Sequence, residues 1–474
     1  MLESPLPAMD AITTKRYLPW VVAIALFMQQ LDSTIVNTGI PAMASSLGTT
    51  PLELKAVVTS YILSLAVCIP LSGWLTDRFG SRRVFLLALV TFLLASVACG
   101  LAVNAQMLIA ARIPQGISAA MMMPVGRMAI VRTFPKGELL RAMNFVIIPA
   151  LLGPLLGPTV GGLIVHWLSW RDIFFVNVPV GLAALWFGWR YMPDYRSATP
   201  RPLDLRGLLL FVSGAGLLSW LLEIFGDHTL DNSQALALLA VSLSLLAAYG
   251  WHAARVPHPL LRLGLLRIRT FRVSVLGGFV TRLAVGGMPF LLPLLYQVGM
   301  GLPAWQSGLL MMPAAAAAMG MKVIATALLR RYGFRRVLTV NTVLVGCTVA
   351  AYSQVDAGTP LVVIVGIGLL LGLFNSLQYS SMNSMAYADI DAADVSMAST
   401  MASTMQQMSM SFGLALGSLV TGLYLAGLPQ TDRLAVTGAL HHAFLTLAVL
   451  TLLSSLSFRS LRDDDGESVS RGAV

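Results

Sequence analysis

Charge is what this sequence has least of: Asp, Glu, Lys and Arg make up 11% of its 474 residues, against roughly 25% in water-soluble domains. So few charges cannot cover a water-facing surface, and the apolar 57% must face lipid instead. Cysteine is equally scarce. Cys68, Cys99 and Cys347 all lie inside apolar runs with no metal-ligand spacing, which argues against a disulfide framework and leaves packing as their reading. No G-x-x-x-x-G-K-S/T segment is present, which disfavours an ATP-driven pump, and neither H-E-x-x-H nor G-x-S-x-G occurs. The six histidines are scattered, and the tail Asp463–Val474 is too short for a signalling domain. The expectation is no enzyme, no catalytic residue, no metal and no cofactor.

What is abundant is apolar runs of about twenty residues, the length that crosses a hydrocarbon core roughly 30 Å thick. Broken by loops rich in Gly, Pro and charge, they predict an all-α integral membrane protein with spans at 17–38, 55–75, 84–104, 106–130, 141–165, 172–192, 206–225, 234–253, 271–297, 304–328, 335–354, 360–386, 398–425 and 439–458. The first run is followed by no small-residue cleavage site and reads as a spanning helix rather than a removed signal. With the N-terminus inside, 24 of the 31 Lys and Arg residues fall in cytoplasmic segments, and only Lys55, Arg171 and Arg433 fall outside. Such asymmetry places both termini in the cytoplasm. It also accounts for the net charge of +10 without a nucleic-acid partner.

The chain repeats itself. Arg78-Phe79-Gly80-Ser81-Arg82-Arg83-Val84 returns 253 residues later as Arg331-Tyr332-Gly333-Phe334-Arg335-Arg336-Val337, five of seven positions being identical. Each copy follows the second helix of a six-helix half. The expected division is a cytoplasmic N-terminus (1–16), an N-terminal half (17–195), two linking helices (196–258), a C-terminal half (259–458) and a cytoplasmic tail (459–474). Two related halves around a central cavity are a transporter plan, with the substrate site near the bilayer midplane.

Five motifs follow in order: Leu31-Asp32-Ser33-Thr34 with Ile35 to Thr38 and Pro41; Gly73-Trp74-Leu75-Thr76-Asp77-Arg78-Phe79-Gly80-Ser81-Arg82-Arg83; Arg112-Ile113-Pro114-Gln115-Gly116; Gly153-Pro154 through Gly157-Pro158 to Gly161-Gly162; and Trp170 through Asn177 to Pro179. With them the chain resembles the major facilitator superfamily over nearly its whole length. Within the superfamily it is similar to the fourteen-helix drug:proton antiporter branch, and within that to the MdtD-type multidrug resistance transporters. The resemblance implies proton coupling at the Arg112 motif and resistance to leakage at the Gly153–Gly162 motif, which favours export. Physically, Gly73 and Gly80 permit close helix approach and a tight turn, while Asp77 is placed to bond backbone donors and pair with Arg78 or Arg82, a cytoplasmic latch. In the second copy Thr326 and Arg330 stand where Gly73 and Asp77 would be, so any latch is one-sided. Gly153, Gly157 and Gly161 form a small-residue stripe for close packing, with kinks expected from Pro154 and Pro158.

Ionisable groups within spans are functional candidates by default. Asp32 is the one well-embedded carboxylate, so Asp32 with Arg112 is the proton-coupling candidate, the alternative being a static pair; Glu223 lies near the outer end of a linking helix. At 100° per residue, Gln115, Met123 and Arg127 share a face with Arg112, expected to line the cavity. Arg282 sits in the second half nearly where Asp32 sits in the first, allowing a relationship across the cavity. Arg127, Arg282 and Lys322 leave the spans net positive, which suits a carboxylate, phosphate or chelate-type substrate; Arg127 and Lys322 alternatively snorkel to the interface. Asn375, Gln378 and Asn383 are either polar contacts for substrate or helix-to-helix bonds. The clustered methionines, 24 in all, fit gap filling or a soft pocket. The expectation is a monomeric, proton-gradient-driven exporter of small molecules in a bacterial inner membrane, with export or symport of an anionic metabolite, such as a polycarboxylate or its metal chelate, as the alternative.

Overall fold

The structure is a computed structural model, and it describes residues 11–197, 202–225, 232–391, 394–425 and 432–466. Among the described residues every regular element is helical, as lipid demands of a backbone that can bond only to itself. The first eight helices are α1 (Ala11–Leu47), α2 (Lys55–Cys68), α3 (Leu71–Phe79), α4 (Ser81–Gly100), α5 (Ala105–Thr133), α6 (Lys136–Trp167), α7 (Asp172–Phe175) and α8 (Asn177–Tyr191). Then come α9 (Leu205–Phe225), α10 (Asn232–Ala253), α11 (Arg269–Arg272), α12 (Gly278–Val285), α13 (Met288–Leu294), α14 (Ala304–Ala351), α15 (Leu361–Ala386), α16 (Val395–Leu425) and α17 (Arg433–Phe458).

Twelve spans are long and apolar enough to cross a membrane, and the pair α2 and α3, bent by 58°, makes a thirteenth. The bend falls at Pro70, which has no N–H to continue the ladder. The helices expected at 304–328 and 335–354 follow one another directly within α14, as two helical stretches that meet at Gly333, where φ is 74° and ψ 160°. At 1.5 Å per residue its 48 residues hold about twice the rise needed for one hydrocarbon core, enough for two crossings. Gly80, between α3 and α4, has φ 92° and ψ 146°. The repeat is therefore a backbone fact as well as a sequence one: both copies turn on a glycine in a region closed to other residues.

The helix expected over 271–297 is present as one span, Arg269–Gly299, with local irregularities along it. It runs as α11, a π-helical turn (Val273–Gly277), α12, a break at Gly286 and Gly287, α13 and a second π turn (Leu295–Gly299). Both break glycines lie against the backbone of α16 at Met410 and Gly413. Toward the end of the molecule that holds Leu47, one apolar core joins Leu31 and Ile35 of α1 to Leu291, Leu310 and Leu414. Toward the opposite end there are two, one around α1, α2, α5 and α16 and one around Phe334, Met385 and Phe458. The helix pair α9 and α10 packs together, Ser242 donating to the Gly214 carbonyl at 3.0 Å, and leaves Leu209, Leu236 and Leu243 exposed.

Candidate functional site: a buried carboxylate cage

Asp32 lies on α1 with no solvent exposure, and four other helices, α2, α4, α5 and α8, supply its surroundings. Arg112 of α5 donates through Nη1 to Asp32 Oδ2 at 2.7 Å, and both side chains are fully buried. Gln115, one turn on, donates through Nε2 to Asp32 Oδ1 at 3.0 Å and to Ser96 Oγ at 2.8 Å. Asn177, the first residue of α8, donates to the same Asp32 oxygen at 2.7 Å. The guanidinium also donates to Gln115 Oε1 at 2.6 Å and to the Val57 carbonyl at 3.1 Å, and it stacks 4.1 Å from the Tyr61 ring centroid. A buried ion pair survives only when its spare lone pairs and protons are bonded, and here nearly all are. Arg112 Nη2 and Tyr61 Oη alone in this cluster have no partner among the described residues, along with Asn177 Oδ1.

The glycine motif on α6 has two sides. Cβ atoms built on Gly153, Gly157 and Gly161 would meet α1 at Leu31 N, Thr34 Oγ1 and Ile35 O within 2.8 Å, so this face holds the helix that carries Asp32. Gly162 faces the other way, where its Cβ would lie 2.3 Å from the Ala304 carbonyl of α14. Gly308 of α14 approaches the Pro158 carbonyl as closely, and Thr159 Oγ1 donates to the Gly308 carbonyl at 3.2 Å. Gln297 adds a bond to the Thr38 carbonyl at 2.9 Å. The halves thus meet backbone to backbone at the end that holds Leu47. Despite Pro154 and Pro158, α6 remains one continuous helix.

The opposite end differs from expectation. Gly73 has no atom within 4 Å of a built Cβ, so it mediates no close approach here. The Asp77 carboxylate has no partner among the described residues, and neither Arg78 nor Arg82 pairs with it. What secures the loop is the segment after α8. Asp194 Oδ1 accepts from the Arg82 backbone N–H at 3.2 Å at the start of α4 and packs against Gly80. Ser81 and Tyr195 exchange bonds, Ser197 N–H donates to the Asp77 carbonyl at 3.3 Å, and Arg82 reaches the Trp189 carbonyl. In the other half the segment after α17 plays the same part, with Arg335 donating to Asp463 at 3.1 Å and Arg269 to Asp465. Arg83 stays exposed.

The remaining candidates separate. Gln115 belongs to the cage and not to a cavity, because it is fully buried against Asp32. Met123 is half-buried and Arg127 exposed, so the polar face of α5 is sealed at one end and open at the other. Arg282 makes no contact with Asp32; it donates to Asn383 at 3.2 Å and stacks 5.1 Å from the Tyr379 ring. Gln378 is taken up in helix-to-helix bonds, accepting from Asn341 at 2.8 Å and donating to Thr342 at 2.8 Å. Asn375 is half-buried, and Lys322 is exposed beside the exposed Val323 and Ile324. The Glu223 side chain lies outside the described residues.

The family model described as Major Facilitator Superfamily matches residues 22–414. The chain belongs to the major facilitator superfamily. Its relatives include the "Putative multidrug resistance protein MdtD" of Serratia proteamaculans (strain 568), 36% identical over 452 residues and spanning 94% of this chain and 93% of that one. The protein of the same name from Klebsiella pneumoniae (strain 342) is 37% identical over 462 residues, spanning 96% and 97%. Among solved structures, the POT family transporter PepTSo superposes with a TM-score of 0.69 at 14% identity, covering 94% of this chain and 97% of that one. A D-xylose-proton symporter does so with 0.67 at 12%, covering 96% and 99%. At such identities the likeness shows the fold alone. The molecule is thus a multi-pass membrane transporter of the superfamily, with an Asp32 cage in its first half.

Two members of that cage carry no role in the sequence reading. Asn177 stands in the quoted Trp170–Pro179 stretch, where its one signal is an amide in an apolar run. Ser96 is a lone hydroxyl in an apolar stretch of α4, a pattern shared by many residues that bond only their own helix.

Proposed function

We propose that this superfamily member exports small molecules in exchange for protons by alternating access, with Asp32 carrying the proton and Arg112 holding it. The observation that supports this most is the cage: the Asp32 carboxylate is fully buried and bonded by an arginine and two amides. In this reading the outer ends of α6 and α14 form the closed gate, α14 serves as two spans to bring the total to fourteen, and both termini lie in the cytoplasm of a bacterial cell. The protein works as a monomer with no cofactor. Counterflow of candidate substrates in proteoliposomes under an imposed pH gradient tests it, and full proton-linked transport in Asp32→Asn would refute the role of Asp32.

Arg282 favours a second reading, in which the cargo is an anion such as a polycarboxylate or its chelate. The side chain is 4% exposed, its Nε has no partner, and no acidic side chain pairs with it among the described residues. Burying a lone cation costs several kcal/mol, and a substrate carboxylate would offset that. Under this reading Arg282→Ala abolishes anion transport and spares neutral compounds; unchanged anion transport refutes it.

A further inference from the structure

The two linking helices carry a cavity that the transport mechanism leaves unused. It lies between the start of α9 and the end of α10, has a volume of about 490 Å³, and is lined by Asp204, Leu205, Arg206, His252, Val256 and His258 among others. Asp204 is committed to the fold: its Oδ1 accepts from Gly207 N–H at 2.8 Å and lies 2.7 Å from His252 Nε2, and the carboxylate is only 6% exposed. Arg206 and His258 are exposed and have no partner among the described residues. Among the described residues the cavity is lined by the basic Arg206 and His258, while Asp204 bonds the cap of α9 and His252 through Oδ1 and keeps Oδ2 buried without a partner.

Its depth is marked independently. Arg255 stacks 3.6 Å from the centroid of the Trp251 ring, which is 65% exposed just before the chain leaves α10. An exposed tryptophan with an arginine at a span's end sits at the level of lipid head groups. Beside it Leu205, 56% exposed, and Leu209, 59% exposed, offer an apolar track along α9. Basic pockets between spanning helices bind anionic head groups, and a planar guanidinium suits a phosphate through two parallel bonds. The depression is open to the surface and lined mainly by apolar atoms, with room for a head group and the first atoms of its acyl chains.

We infer that this cavity holds the phosphate head group of an anionic glycerophospholipid, with Arg206 and His258 as its ligands and the acyl chains lying along α9. A zwitterionic choline or ethanolamine head would bring its ammonium against the Arg206 guanidinium, so the site favours net negative charge. The leaflet follows from the cytoplasmic placing of these helix ends proposed above, but retention of the lipid does not depend on that placing or on the transport reading.

The test is native mass spectrometry of the full chain, delipidated and then titrated with phosphatidylglycerol, phosphatidylcholine or glycerol 3-phosphate. The expected result is one retained phosphatidylglycerol, at least tenfold preferred over phosphatidylcholine, with retention lost in Arg206→Gln/His258→Gln at an unchanged melting temperature. Equal retention of the two lipids, or full retention by the double variant, overturns the proposal. Glycerol 3-phosphate displacing the lipid at equal concentration also overturns it, by assigning the site to a soluble phosphate ester. If the double variant is lost on purification, the lipid preference and the competition on the unaltered protein decide.

Discussion

Substituting Gly162 or Gly308 by alanine puts a methyl group where the backbone of the opposite half already lies. The added carbon would stand 2.3 Å from the Ala304 carbonyl in one case and 2.3 Å from the Pro158 carbonyl in the other, whereas ordinary contact begins at 3.4 Å. The halves must part by about 1 Å, because the obstructing atoms are backbone and cannot rotate aside. Overpacking of this kind costs about 1–3 kcal/mol, a five- to 150-fold shift in a two-state equilibrium. The cost falls only on the conformer closed at this end, so each variant is expected to favour the conformer open there and to slow transport, with little loss of overall stability. Spin labels on Leu168→Cys and Leu434→Cys, both exposed sites, would report a longer distance population. Gly157→Ala is the control: its carbon would meet Thr34 Oγ1 within the same half at 2.1 Å, so it should lower the melting temperature without lengthening that distance. No longer population in Gly162→Ala and Gly308→Ala, or the same shift in Gly157→Ala, would refute the reasoning.

Three further outcomes are expected. Asp32→Asn leaves the Arg112 guanidinium buried without its counter-charge and should destabilise the protein by about 3–5 kcal/mol, while Asp32→Asn/Arg112→Gln regains much of that stability in thermal melts without regaining proton-driven transport. Asn177→Ala removes a 2.7 Å bond to a charged acceptor and should cost about 1.5–3 kcal/mol, read from the same melts; a change under 0.5 kcal/mol would show that the amide contributes nothing. Asp194→Ala frees the start of α4 and should cost about 1 kcal/mol, as the loss of a helix cap does, with faster amide exchange across 192–197 as the local signature.

The parts legible in the sequence are those with one physical meaning wherever they stand. A charged pair in an apolar run has to find itself, so Asp32 and Arg112 could be joined on paper, and a glycine between basic residues after a span has to turn the chain, as Gly80 and Gly333 do. Partners drawn from distant segments were not legible. Asp194 reaches the Arg82 amide across 112 positions, and nothing near Asp77 in the sequence says that its expected role passes to that residue. Polar faces misled for a related reason: periodicity puts Gln115 and Arg127 on one side of α5, but it cannot say that one end of that side is packed shut. The small-residue stripe pointed to close contact without showing that the next glycine, Gly162, turns to the other half. The two spans within α14 were legible, but the shortness of their connection was not, because a single glycine, Gly333, turns the chain where a loop was assumed.

Among the described residues, every side chain that bonds Asp32 belongs to the first six-helix half: Arg112, Gln115 and Asn177, with Ser96 and Tyr61 behind them. The carboxylate therefore travels as cargo of that half, and tilting one half against the other leaves its immediate surroundings unchanged. If Asp32 carries a proton as proposed, one route out of the cage runs along α1, whose far face lies on the glycines of α6, the helix that also reaches across to α14. The molecule in this respect resembles a lever whose trigger and latch share one rigid arm, and the stiffness of the α1–α6 seam sets how much of the trigger's movement arrives at the latch.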